Sequence, residues 1–134
     1  MPLRRCACTL ALLLVTNAAL SARAGEPFPF GSELMLDTAP AAGSKRLPMI
    51  QIEDDGSAAI DLWCGSVKAQ AAVGDDGTIA LTPGVRDNGQ CSADRVAGDD
   101  DLLDMILHMT NWRWKGDVIE FSGAVTMRFH QMTN

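Results

Sequence analysis

Ser66, His108 and His130 are the side chains that could contribute a nucleophile and a base to hydrolysis. The sequence has no Gly-x-Ser-x-Gly motif, which would present a nucleophilic serine on a sharp turn. His108 stands in an apolar helical segment, where it is expected on the flank of a packed helix. His130 alternates with Phe129, which directs it to solvent. We therefore expect no catalytic residue, and the chain is not predicted to be an enzyme.

Clustered aspartates raise the alternative of a metal site. Asp-Asp-Gly occurs at 54–56 and 75–77, and three consecutive aspartates occupy 99–101. Neither Asp-Asp-Gly passage continues with the alternating ligands and distant glutamate of a calcium loop, whereas Asp-Gly is a strong turn signal. Asp100 and Asp101 would point about 100° apart on a helix, so they do not converge on one ion. We expect hairpin turns, helix-capping carboxylates at 99–101, and no metal or other cofactor.

The four cysteines divide between the first residues, which contain Cys6 and Cys8, and the body of the chain, which contains Cys64 and Cys91. In an exported protein Cys64 and Cys91 are expected to form a disulfide. The bridge would enclose the 28 residues from 64 to 91 and contribute roughly 3.5 kcal/mol of stability. The alternative is a free nucleophilic thiol at Cys64, for which no neighbouring histidine in the sequence provides a base.

The first 24 residues have the layout of a secretory signal peptide. Arg4 and Arg5 precede a mostly apolar segment at 9–20, and Ala-Arg-Ala at 22–24 places small residues at the spacing of a cleavage site. The apolar segment is shorter than the ~20 residues of a membrane-spanning helix. The sequence therefore predicts export, to the periplasm or alternatively to the medium, of a single domain over 25–134, without stable membrane insertion.

Charge restricts the partners of this domain. The chain has 134 residues, 47% of them hydrophobic and 21% charged, which is typical of one globular domain. Cleavage after residue 24 would remove three arginines and no acid, and would change the formal charge from −6 to −9. Because nucleic-acid binding depends on lysine and arginine contacts with phosphate, we exclude nucleic acid as a partner. A basic protein would be attracted.

Hydrophobic periodicity predicts short antiparallel strands and one helix. Strands are expected at 33–37, 47–53, 58–60, 79–81, 112–115, 118–122 and 124–131, the last with Val125, Met127 and Phe129 on one face. A helix is expected to begin at Asp99, because apolar residues recur at helical spacing at Leu102, Met105, Ile106 and Met109. The predicted fold class is α+β: a mostly antiparallel, small barrel-like sheet with one amphipathic helix before the last hairpin.

Trp63, Trp112 and Trp114 form the candidate binding surface. Trp112 and Trp114 share one face of a strand, and Trp63 adjoins Cys64. Aromatic side chains contribute much of the energy at recognition sites, but they also fill the interiors of small barrels. A core position is favoured for Trp112 and Trp114, while both readings remain open for Trp63.

The order of these elements resembles the META domain family of HslJ-like exported proteins, from about residue 31 to residue 131. The resemblance rests on Trp63-Cys64-Gly65, Cys91, the leucine-rich helix at 101–109 and the terminal Met127-Arg128-Phe129. Gly65 stands where the family has asparagine, and the lipid-bearing cysteine of many relatives is not found here. The resemblance implies a β-rich domain with one helix, a link to envelope stress or virulence, and no established catalytic site.

Two functional hypotheses follow from the sequence. The first is a non-catalytic, exported META-like domain that supports envelope integrity or stress tolerance through contacts with an envelope protein. The second is an acidic inhibitor or ligand-binding module for a basic enzyme such as a lysozyme. The sequence does not indicate an oligomeric state.

Overall fold

Eight strands and one helix make up the computed structural model, which describes residues 25–133. The predicted signal peptide at 1–24 lies outside the described residues. The elements, in chain order, are β1 (Glu33–Leu36), β2 (Met49–Ile52), β3 (Ser57–Asp61), β4 (Ser66–Val73), β5 (Ile79–Asp87), α1 (Ala93–Leu107), β6 (Met109–Lys115), β7 (Val118–Gly123) and β8 (Thr126–Gln131).

The strands form one curled antiparallel sheet in the order β5-β4-β3-β2-β1-β8-β7-β6. The outer strands β5 and β6 meet at a seam, where Thr78 bridges Asn111 and the Trp112 amide donates to the Gly77 carbonyl at 2.8 Å. The prediction of a mostly antiparallel, barrel-like sheet with one helix is confirmed.

Because neighbouring strands are antiparallel, their connections alternate between two ends of the sheet. One end, here called the helix end, carries the connections at 37–48 and 62–65 and the helix that joins β5 to β6. The other, here called the turn end, carries the turns at 53–56, 74–78 and 116–117. A residue in a connection can therefore be assigned to one end of the molecule.

Both Asp-Asp-Gly passages form the predicted hairpin turns at the turn end. Gly56 has φ +86° and Gly77 has φ +85°, a region that side chains with a Cβ rarely adopt. Each turn is reinforced by an aspartate that accepts hydrogen bonds from the amide and hydroxyl two residues later: Asp55 from Ser57, and Asp76 from Thr78. Turn chemistry therefore accounts for the second aspartate of each pair.

Alternating residues of the strands fill the interior with aliphatic and aromatic side chains. Phe121 and Phe129 are fully buried and meet edge to face, with ring centroids 5.1 Å apart. Phe28, from the segment before β1, packs in the same manner against Trp112, also at 5.1 Å. One strand prediction needs correction: β8 begins at Thr126, and Val125 lies exposed before it instead of sharing the buried face.

The helix begins earlier than its apolar pattern predicts. It starts at Ala93, with Ser92 at the N-cap position, so the interpretation of 99–101 as capping carboxylates is wrong. The side chains of Leu102 and Ile106 are buried, whereas Met105 is 38% exposed. Three strands follow the helix, which therefore precedes two hairpins.

Candidate functional site

The connection between β3 and β4, residues 62–65, is held from the helix side by two contacts. Cys64 forms the predicted disulfide with Cys91. Asp99, in the middle of α1, is fully buried, and its carboxylate accepts the amide of Cys64 at 3.1 Å and that of Gly65 at 2.7 Å. Two amides directed at one carboxylate satisfy a charge that would otherwise be costly to bury.

The carbonyl groups of the same connection are held by the segment between β1 and β2. The Arg46 guanidinium donates to the carbonyls of Leu62 at 3.1 Å, Cys64 at 2.7 Å and Gly65 at 2.6 Å. The Ser44 hydroxyl donates to the Trp63 carbonyl at 3.0 Å. We call residues 62–65 the clamped loop, because three other segments fix its backbone.

Gly65 is required by this close packing. A Cβ at this position would lie 2.7 Å from the Asp87 carbonyl oxygen and 3.2 Å from an Asp99 carboxylate oxygen. The first distance is to backbone, which cannot move aside as a flexible side chain can. The close approach to the Asp87 carbonyl explains why this position carries glycine.

Trp63 projects from the clamped loop at the helix end. It is partly buried against the core and borders a shallow depression of about 180 Å³, which is lined also by Ala41, Ala42, Ser44, Asp94, Arg95 and Gly98. Its indole N–H bonds to no other described residue, and no buried polar side-chain atom among the described residues lacks a partner. The indole N–H therefore reaches solvent.

Trp112 and Trp114 lie at a different place, on β6 beside the seam. Trp112 is 9% exposed and donates its indole N–H to the Gly74 carbonyl at 3.1 Å, so it belongs to the core. Trp114 is partly buried and donates to the Pro27 carbonyl at 3.1 Å. The structure therefore does not bring the three tryptophans into one surface: Trp63 lies at the helix end, and the other two flank the turn at 74–78.

A cleft of about 540 Å³ opens beside Trp112 and Trp114. Three segments line it: Gly25, Glu26 and Pro27; Asp75, Asp76 and Gly77; and Trp112, Arg113 and Trp114. We call it the seam cleft. The Thr78 hydroxyl and amide donate to Asp76 at 2.6 and 3.1 Å, and these bonds hold the pKa of Asp76 below its usual value. That carboxylate is therefore negatively charged at neutral pH.

Ser66 and the histidines are not assembled into a catalytic site. Ser66 lies on β4, where it pairs with Asp61 of β3, and His130 lies on β8. In the sheet, β4 and β8 are separated by β3, β2 and β1. His108 ends the helix with its Nδ1 2.7 Å from the Asp104 carbonyl, and His130 has its Nε2 3.4 Å from Asp37. Within residues 25–133, no group of three or more His, Cys, Asp or Glu side chains is arranged to hold a metal ion.

A charged cluster around Glu120, on the outer face of the sheet, is not predicted from the sequence. Glu120 on β7 is 5% exposed, and its carboxylate lies 2.7 Å from Arg113, 3.4 Å from Lys115 and 4.0 Å from Arg128. The hydrogen bond from Arg113, followed by that from Lys115, lowers the pKa of Glu120 despite its burial. Cross-strand pairing explains the cluster, since both arginines lie directly opposite Glu120.

Comparison with protein-family models, curated proteins and solved structures finds no match to this chain. In the part of the chain that the structure describes, no helix is long and apolar enough to span a membrane.

Proposed function

We propose that this chain is an exported, non-catalytic domain of the META type that acts in the periplasm. In this proposal it supports envelope integrity or stress tolerance through contacts with another envelope protein. The contact surface is the helix end, with Trp63 as its central side chain. The observation that carries the proposal is the clamped loop, which presents Trp63 on a fixed backbone.

Fixing a binding residue before association favours affinity. Ordering a side chain or loop on binding costs about 0.5–1.5 kcal/mol for each immobilised group, and a preorganised loop avoids part of that cost. Tryptophan is enriched among the residues that dominate interface energies. Trp63 offers a partner its exposed ring area, an indole N–H that reaches solvent and an apolar depression beside it. These properties support a protein contact at this position.

The proposal is tested by complementation in the native host. A strain lacking the chain is challenged with envelope stress and supplied with wild type, Trp63→Ala or Val85→Ala. Val85 is 76% exposed on β5 and serves as the control for removing surface hydrophobic area. We expect the wild type and the Val85 variant to restore growth, and the Trp63 variant to fail at an equal periplasmic level. Full rescue by Trp63→Ala would contradict a role for the helix end.

The export part of the proposal is tested separately by mass spectrometry of the protein recovered from the periplasm. We expect a mature chain that begins at Gly25 and contains the Cys64–Cys91 disulfide. Recovery of the full-length chain from the cytosol would contradict it.

A second candidate function is an acidic binding module or inhibitor for a basic partner such as a basic enzyme. The seam cleft favours this candidate, because carboxylates from two segments and the Trp114 ring line the same cleft. Binding of lysozyme as a basic probe is expected to weaken steeply as salt is raised, since exposed charges are screened. The candidate is abandoned if binding is absent or insensitive to salt.

A further inference from the structure

We infer that the seam cleft is a recognition site for a lysine or arginine side chain of a protein partner. This inference deepens the second candidate function and rests on it, because it assigns the basic partner to one place on the molecule. Three features of the cleft support it: the fixed tryptophans, the carboxylates that line the same cleft, and its volume.

Trp112 and Trp114 both line the seam cleft, and hydrogen bonds hold their indole rings in place. The indole N–H of Trp112 is bonded to the Gly74 carbonyl and that of Trp114 to the Pro27 carbonyl, both at 3.1 Å. These bonds fix the ring orientations and use the polar atom of each ring. Trp114 is half-buried and lines the cleft, and the face of an indole ring attracts a cation.

The carboxylates supply the complementary charge. Asp76 remains ionised because Thr78 stabilises its carboxylate. Asp75, beside it, is exposed and has neither a hydrogen bond nor an ion pair with another described residue. Arg113 is the basic residue among those that line the cleft, and its guanidinium donates to the Glu120 carboxylate at 2.7 and 3.0 Å. Asp75 therefore offers an ammonium or guanidinium group in the cleft a carboxylate that is not engaged by another described residue.

The size of the cleft fits a side chain with its flanking residues. Sites for small ligands usually have volumes of about 300–1,000 Å³, and the seam cleft, at about 540 Å³, lies within that range. A basic side chain needs less space than this, which leaves room for neighbouring backbone of the partner. The apolar stem of lysine or arginine can lie along Trp114 while its charge contacts Asp75.

The sequence provides a matched control for the test. Asp54 and Asp75 occupy the same position in the two Asp-Asp-Gly turns, and both turns lie at the turn end. Only the turn containing Asp75 lines the seam cleft. Asp54→Asn and Asp75→Asn therefore make the same change in net charge and local turn chemistry, and differ in their relation to the cleft.

Binding of hexalysine is measured by calorimetry and by NMR of the indole N–H signals, with lysine-acetylated hexalysine as the uncharged probe. We expect hexalysine to shift the Trp114 signal and the acetylated peptide to leave it unchanged. Asp75→Asn is expected to weaken binding about fivefold, and Asp54→Asn less than twofold, because rim charge contacts contribute up to ~1 kcal/mol. Trp114→Leu is expected to weaken binding further, while Trp63→Leu leaves it unchanged.

Each other outcome overturns a defined part of the reasoning. Equal weakening by Asp54→Asn and Asp75→Asn would show that hexalysine responds to overall charge, which would refute the seam cleft but leave an acidic binding module in place. Binding of hexalysine with no shift of Trp114 would have the same meaning. If neither hexalysine nor lysozyme binds the wild type at low salt, both the cleft and the second candidate function are wrong.

Discussion

Replacing Asp99 with alanine is the most direct test of the clamped loop. The substitution removes the acceptor for the amides of Cys64 and Gly65 and leaves both amides without a partner beneath the helix. A hydrogen bond to a charged group contributes about 1.5–3 kcal/mol, and unpaired buried amides carry a further desolvation cost. We therefore expect Asp99→Ala to lower the free energy of unfolding by about 3–5 kcal/mol, a large part of the ~5–15 kcal/mol typical of a domain.

The free energy of unfolding is measured by urea titration at neutral pH without reductant, with tryptophan fluorescence as the signal. Asp101→Ala is the control, because Asp101 is exposed on the same helix and undergoes the same charge change; we expect a change within about 0.5 kcal/mol. Asp99→Asn keeps one carbonyl oxygen and should lose about half as much as Asp99→Ala, which provides a measurement if the alanine variant does not fold. A loss below ~1 kcal/mol for Asp99→Ala would refute the clamped loop.

Three further perturbations follow from the structure. Cys64→Ser with Cys91→Ser should lower the free energy of unfolding by roughly 3.5 kcal/mol, and reductant should then have no effect on the variant in the same urea titration. Gly98→Ala should raise the free energy of unfolding by about 0.5–1 kcal/mol, because the added Cβ meets no atom within 4 Å beyond the neighbouring helix backbone and alanine favours the helix. A lower melting temperature in thermal denaturation would contradict this. Because Arg113 lowers the Glu120 pKa, this carboxylate stabilises the fold above its unfolded-state pKa of ~4.3 and loses that effect as the pH falls through its lower folded-state value. The urea midpoint of Glu120→Gln should therefore fall less than that of the wild type on acidification below about pH 4. An equal fall of the two midpoints would contradict the prediction.

Local signals predicted most of the sheet correctly. The two Asp-Asp-Gly turns, the alternation from Trp112 and the apolar segments near residues 34 and 50 are patterns formed by residues a few positions apart. No strand is predicted from the sequence at β4, because alanines at 69, 71 and 72 give little hydrophobic contrast between its faces. Its pairing with β3 and β5 comes from the hairpin connections on either side.

The role of Asp99 could not be predicted, because its hydrogen-bond partners lie 34 and 35 residues away. Three consecutive aspartates before an apolar helical stripe are typical of a helix start, and that pattern placed the N-terminus six residues too late. The first turns of α1 carry glycine and alanine on a weakly apolar face, so periodicity there is faint. The buried hydrogen bonds that Asp99 accepts from the clamped loop place this residue inside the helix, although aspartate locally favours a helix N-terminus.

The clamped loop has more stabilising contacts than a connection between β3 and β4 requires. At the opposite end, the turns at 53–56 and 74–78 join paired strands with a glycine and one aspartate each, which accepts hydrogen bonds from an amide and a hydroxyl two residues later. The clamped loop instead recruits Arg46, Cys91 and Asp99 from three separate segments, although β3 and β4 already pair along five positions. Those contacts anchor α1 over the helix end and immobilise the backbone of Trp63 at the same time. A surface held in this way can meet a partner without first being ordered, which is the physical reason for proposing a protein contact at the helix end.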